Sequence, residues 1–279
     1  MYIGTPGIEI EPFYFGTSGK PLFGCYHAPQ SGGATPRIAP YRDCGVVLCY
    51  PMGHEYIQSH RAYRQLAVRL SKVGFHVLRF DYYGCGDSGG DCEQGAIRQW
   101  LTDISTAIDE IRDRNGFVKV CLVGLRLGGT LSMMLGAKRG DIEGLVLWDA
   151  VVSGRAYLEE LTTLHQEKFR YLHAKPNHHI TDEKPIEVLG FSLTDFMRRE
   201  LDKIDLTSIQ KKPANNILLI ESSEEAGEGR LREHLKSMDT YLTYQHLPSP
   251  QIWIENINTI MMPIQILQSV VSCILEVYP

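Results

Sequence analysis

Apolar residues in this chain fall into two alternating patterns. Short unbroken runs read as strands buried on both faces. Between them lie longer stretches in which apolar residues recur at helical spacing. Ile8 to Phe15 and Leu22 to His27 predict two strands, joined by the turn-rich Gly16-Thr17-Ser18-Gly19-Lys20-Pro21. Ser31 to Pro40 reads as an exposed loop. Gly45 to Tyr50 is a buried strand, broken by Pro51-Met52-Gly53-His54-Glu55. Tyr63, Leu66, Ala67 and Leu70 mark a helix ending at Gly74. Phe75 to Phe80 is the next strand, and Asp81 to Gly89 the loop after it. Trp100, Ile104, Ala107, Ile108 and Ile111 form a second helical stripe.

Phe117 to Val123 is a further strand, followed by Gly124-Leu125-Arg126-Leu127-Gly128-Gly129 and a helix over Thr130 to Lys138. Gly144 to Trp148 is again a strand. Gly154 to Pro213 interrupts the rhythm, with helical pieces at Ala156 to Arg170 and Leu193 to Leu201 around a polar stretch, Ala174 to Pro185. Asn216 to Glu221 (strand), Glu228 to Met238 (helix), Tyr241 to Leu247 (strand) and Pro263 to Glu276 (helix) restore it. Strands alternating with helices imply βαβ units and a mostly parallel sheet with helices on both faces. The interruption is too long for a plain connection. It reads as a short helical cap, 154–212, inserted into a core made of 1–153 and 213–279.

Composition narrows the functional classes. The chain has 279 residues, 43% hydrophobic and 22% charged, with a net charge of -5. That balance, without a basic run, argues against nucleic acid. No apolar stretch approaches the roughly 20 residues of a membrane span. No basic segment precedes an apolar run at the N-terminus, so no signal peptide is expected. The seven cysteines show neither CxxC pairs nor zinc-ligand spacing, which fits reduced core thiols and a cytoplasmic protein. No cofactor and no metal are implied.

The Gly-framed turn at Arg126 carries the chemistry. A strand, a sharp glycine turn and a helix are the setting of the G-x-S-x-G nucleophile elbow, but here the tip is Arg126. A guanidinium stays protonated and cannot attack a carbonyl. Together with Arg79-Phe80-Asp81-Tyr82-Tyr83-Gly84-Cys85-Gly86-Asp87-Ser88, which looks like a D-x-x-G-x-G-x-S loop, the element order resembles the α/β-hydrolase fold of serine-aminopeptidase-like enzymes. The elbow, Leu147-Trp148-Asp149 and Gly154-Arg155-Ala156-Tyr157-Leu158 are similar to a bacterial subgroup, the exosortase-A-system-associated hydrolases.

The resemblance implies a triad, whose acid would fall on Asp149 or Glu221. Its nucleophile falls on Arg126. Its base would be a histidine after the last strand, and Leu247 to Asn256 contains none. Acyl transfer by a serine triad is therefore not expected. The leading expectation is a pseudo-hydrolase binding a small acidic or acyl-bearing ligand, or a partner protein. Its ligand residues would be Arg126, Leu127, Met52, Gly53, His54, Asp149 and Glu221.

Arg126 at a helix N-terminus would make an anion site. The plainer alternative is that it forks onto Asp149, Glu221 or Glu55 and fills the old site with an ion pair. Asp149 or Glu221 is the expected partner. A second function keeps catalysis: His54 as general base, Arg126 as electrophile, and backbone N–H groups of Met52 or Gly53 and Leu127 as an oxyanion hole. A third is a scaffolding subunit. Asp81 and Asp87-Ser88 read as loop-fixing residues. His165, His173, His178 and His179 read as polar surface, and Tyr82-Tyr83, Tyr171 and Phe191 either as lining for an apolar pocket under the cap or, as is usual for aromatic residues, as core.

Overall fold

Why the apolar runs become a sheet is visible in their burial. Every residue of β3 (Cys44–Cys49) and β6 (Gly144–Trp148) is buried, as a strand covered on both faces requires. With β4 (His76–Phe80), β5 (Lys119–Leu125), β9 (Asn216–Glu221) and β10 (Tyr241–His246) they form the parallel part of an eight-stranded sheet. The antiparallel pair β1 (Ile10–Thr17) and β2 (Lys20–His27) completes it, in the order β1-β2-β4-β3-β5-β6-β9-β10. The computed structural model describes residues 10–29, 42–116, 118–171, 186–223, 229–254 and 262–279. The predicted loop Ser31 to Pro40 and stretch Ala174 to Pro185 lie outside them, as do His173, His178 and His179.

The helical stripes close over this sheet. Helix α1 (Gly53–Lys72) buries Tyr63, Leu66, Ala67 and Leu70, and packs beside α7 (Ile264–Val277). Helix α2 (Ile97–Asn115) buries Trp100, Ile104, Ala107, Ile108 and Ile111, and packs beside α3 (Leu127–Arg139). Helix α6 (Arg230–Lys236) is shorter than the expected Glu228 to Met238.

Three expectations shift. Helix α1 begins directly after β3, so His54 and Glu55 stand on its first turn rather than in a loop. The elbow strand starts at Lys119, because Val118 is 78% exposed and joins no apolar layer. Between β6 and β9, α4 (Gly154–Tyr171) and α5 (Asp195–Asp202) flank an unforeseen hairpin, β7 (Ile186–Val188) and β8 (Phe191–Leu193). Its two-residue turn, Leu189-Gly190, has positive φ at both positions, the geometry that matches strand twist. Thr194 then caps α5 by accepting the Met197 N–H, so the helix starts after Leu193.

Candidate active site

The elbow is built by close backbone approach. Arg126 follows β5 with φ 52 and ψ -125 and caps α3. A Cβ on Gly128 would lie 2.1 Å from the Cys49 carbonyl oxygen, and one on Gly124 2.3 Å from the Gly129 nitrogen. Only glycine lets strand, turn and helix meet this tightly. The Arg126 N–H donates to the Trp148 carbonyl at 3.0 Å, tying the tip to β6. Tyr63 Oη bridges the two strands behind it, donating to Cys49 O (2.8 Å) and accepting the Leu125 N–H (2.7 Å).

At the sheet's carboxyl edge, Arg126 is held by residues from three other elements. Its Nε donates to Glu55 Oε1 at 3.0 Å, and its Nη2 to Glu160 Oε2 on α4 at 2.5 Å. Tyr157 donates its hydroxyl to the other Glu55 oxygen at 2.9 Å. The rings of Tyr157 and Trp253 lie 5.3 and 5.0 Å from the guanidinium carbon, within cation–π range. Side-chain exposure is 11% for Arg126, 1% for Glu55 and 38% for Glu160.

Burial alone would lower the Arg126 guanidinium, but Glu55 and Glu160 overcome it and hold the group above its ordinary value. Burial pushes the Glu55 carboxyl up, against the pull of Arg126 and Tyr157. A carboxylate in the first turn of α1 also suits the positive end of that helix.

The expected partners are therefore corrected. Arg126 pairs with neither Asp149 nor Glu221. Asp149 Oδ1 accepts the Ser222 N–H across the β6–β9 edge at 2.7 Å, and Glu221 Oε2 accepts the Tyr244 hydroxyl at 2.9 Å. Of the three acids named from the sequence, only Glu55 is engaged. Glu160 escaped notice because apolar spacing does not tell which turn of α4 faces the elbow.

Arg126, Asp149 and Glu221 nonetheless line one cavity of about 280 Å³, with Tyr157, Glu160, Arg230, Gln251 and Trp253. The other candidates stand elsewhere. Leu127 is fully buried behind the tip. His54 lines a separate small hollow with Met52, Gly53, Tyr157, Leu161 and Phe191, and is not among the residues around Arg126's cavity.

Met52 and Gly53 also line a larger, mainly apolar hollow of about 420 Å³, walled by Tyr56, Ile57, Trp100, Phe191 and Met197. Phe191 was expected at such a pocket. Tyr82 takes the core alternative and stacks on Trp100, with ring centroids 5.2 Å apart.

The loop after β4 is fixed by the side chains of Asp81 and Ser88, while Asp87 contributes only backbone groups among the described residues. Asp81 accepts the Asp87 N–H (3.0 Å) and the Tyr56 hydroxyl (2.9 Å), and Ser88 Oγ donates to Asp81 O at 2.6 Å. His165 Nδ1 accepts the Leu189 N–H at 3.1 Å, which anchors the β7–β8 turn to α4. Among the described residues no group of three or more His, Cys, Asp or Glu could hold a metal ion. No helix there is long and apolar enough to cross a membrane.

Similarity to known proteins follows this geometry. Over 80 residues the chain is 31% identical to the human mitochondrial palmitoyl-protein thioesterase ABHD10, covering 28% of this chain and 25% of that protein. Over 124 residues it is 28% identical to the thermostable monoacylglycerol lipase of Bacillus sp. (strain H-257), covering 44% of this chain and 47% of the lipase. The chain thus matches less than half the length of these curated relatives. The ferulic-acid-bound structure of Est1E from Butyrivibrio proteoclasticus superposes with a TM-score of 0.65 at 16% identity, over 95% of this chain and 98% of that one. That likeness, with the strand order above, is the α/β-hydrolase fold. The family model for serine aminopeptidase, S33, matches residues 46–213, from β3 to shortly before β9, and the chain belongs to that family.

Proposed function

We propose that this chain is a pseudo-hydrolase that binds an acyl-bearing small molecule at its cleft and does not perform serine-triad acyl transfer. The carrying observation is Arg126 at the elbow tip, with its guanidinium spanning Glu55 and Glu160. A permanently protonated group at that point offers no lone pair for attack. No histidine follows β10 within Leu247 to Asn256 to serve as base.

The apolar hollow of about 420 Å³ falls in the size range of small-molecule sites and suits an acyl chain. The names of the two curated relatives, a palmitoyl-protein thioesterase and a monoacylglycerol lipase, point to acyl compounds as well. A purely acidic ligand has less support, since the positive charge that would attract it is already matched by two carboxylates. His54 lines a hollow that shares only Tyr157 with the Arg126 cavity, so the route through His54 has less support.

A panel of activated esters and thioesters, run with a serine-directed fluorophosphonate, tests this reading. The purified protein is expected to show no acyl-enzyme burst and no labelling. Arg126→Ser is expected to recover little, because a serine without a base is a weak nucleophile. Wild-type ester hydrolysis that survives Arg126→Ala and is abolished by His54→Ala would overturn it.

A further inference from the structure

Two hollows beside the start of α1 are kept apart by few side chains. The larger, of about 420 Å³, and the small one that His54 lines have four residues in common: Met52, Gly53, Phe191 and Ser192. Gly53 has no side chain and Ser192 a short one, so the partition consists of Met52 and Phe191. Methionine is unbranched and adapts to what packs against it. The Phe191 ring is stiffer and is seated on α1. A Cβ on Gly53, where φ is 59, would touch the ring at 3.5 Å, and the Phe191 backbone pairs with Val188 in the β7–β8 hairpin.

The larger hollow reaches both water and core. Ile57 on its wall is 58% exposed and Cys92 is exposed, whereas Trp100 and Met197 are 3% and 5% exposed. An apolar concavity open on one side and buried on another is the form of a small-molecule site. Behind Phe191 the apolar surface continues: Leu161, Val188 and Leu193 line the small hollow, and Leu161 and Leu193 are buried. The volume there, about 20 Å³, is too small to receive a chain while the ring is in place.

We infer that Phe191 is the stop that limits the length of the ligand's alkyl chain. The chain enters beside Ile57, leaves its polar end in water, and terminates against the ring. The inference rests on the binding reading above and specifies which chains the site accepts. The Arg126 cavity takes no part, since it shares no lining residue with the larger hollow and only Tyr157 with the small one.

The test uses the whole protein and the hexyl, octyl, decyl, dodecyl and tetradecyl ethers of glycerol, none of which contains an ester. Each is titrated calorimetrically below its micelle concentration. Burying two further methylenes raises affinity about tenfold, so the wild type is expected to climb by that step and then stop, the next ether gaining less than about twofold. Phe191→Ala joins the two hollows and is expected to carry the climb at least one ether further. Phe191→Trp enlarges the ring and is expected to end it at least one ether sooner. Cys92 is the one exposed cysteine of the seven, and it reports where the chain sits. Its alkylation by iodoacetamide, followed by mass spectrometry, is expected to slow about tenfold when the decyl ether saturates the protein.

A wild-type series that keeps climbing through the tetradecyl ether would overturn the inference, even if neither variant folds. So would a stop that stays in place in either folded variant. Unchanged alkylation of Cys92 would put the chain outside this hollow and overturn it as well. Failure of every ether to bind would overturn both the inference and the ligand-binding reading. Hydrolysis in the separate ester panel would sink only the non-catalytic part, since none of these ethers can be turned over.

Discussion

Arg126 and Arg79 are both buried guanidinium groups, and the protein accommodates them in different ways. Arg126, at the sheet's carboxyl edge, is matched by carboxylates from α1 and α4 and flanked by two aromatic rings. Arg79, inside β4, has no ion pair among the described residues. Its Nε donates to His27 Nε2 at 3.0 Å and its Nη1 to the Tyr50 hydroxyl at 2.9 Å. Neutral partners satisfy its hydrogen bonds but not its charge, and the cost falls on the histidine. Burial and the adjacent Arg79 hold the His27 imidazole down to about 3. His27 must therefore present a bare Nε2 as acceptor. One arginine is a structural member of the sheet; the other stands at the tip of the Gly-framed turn between β5 and α3, where the α/β-hydrolase fold carries its nucleophile elbow.

The largest expected effect comes from removing Arg126. Arg126→Ala leaves Glu55, with 1% side-chain exposure, as a buried carboxylate without its counter-charge. Breaking one side of a buried pair typically costs about 3–5 kcal/mol. Arg79→Met strands no carboxylate and is expected to cost less. Urea denaturation of both variants measures the difference, and equal losses would dissolve the contrast between the two sites. The sign of the pH dependence is also set. Burial raises the Glu55 carboxyl, so its ionised form weighs against the fold, and that burden grows as pH rises through its folded value. The Arg126→Ala deficit should shrink in acid.

At Arg79 the pH dependence runs the other way. His27 has its folded value near 3 against an ordinary 6.5, so its contribution to stability is complete above 6.5 and is lost as pH falls toward 3. The slope from this one group is at most about 1.4 kcal/mol per pH unit. Buried carboxyls raised above their ordinary values, Asp81 and Asp103 among them, oppose it by favouring the fold in acid. The wild-type profile is thus a contest, and the comparison with His27→Gln isolates the histidine. Glutamine keeps an acceptor for Arg79 and has no proton to gain. An unchanged acid slope in that variant would mean that the fold does not hold His27 neutral.

The sheet and the elbow were legible because both are written in local chemistry. Unbroken apolar runs at β3, β5 and β6 leave only a doubly covered strand, and Gly124, Gly128 and Gly129 around Arg126 leave only a tight turn. The partners of Arg126 were not legible in the same way. Asp149 and Glu221 stood at strand ends pointing toward the cleft, and they do line its cavity. What sent them elsewhere was the buried backbone N–H of Ser222 and a hydroxyl at Tyr244, neither visible as a competitor in sequence. Glu160 sits midway along a helix whose rotation is set by burying Tyr157 and Leu161. The β7–β8 hairpin was missed because three-residue strands are too short to show alternation.

The smallest expected effect distinguishes the two carboxylates on Arg126. Glu160 is 38% exposed, so water already screens much of its attraction to the guanidinium despite the 2.5 Å contact. Exposed pairs contribute about 0–1 kcal/mol, and Glu160→Gln, which keeps an acceptor at the same place, should cost less than about 1 kcal/mol. The substitution also removes one of the two charges that match Arg126. A loss in Glu160→Gln as large as that of Arg126→Ala would show that the ion pair to α4, and not the buried one to Glu55, is what holds the arginine. The elbow would then be fastened to α4 more firmly than to α1, and Arg126 would resemble Arg79 in being a structural member first.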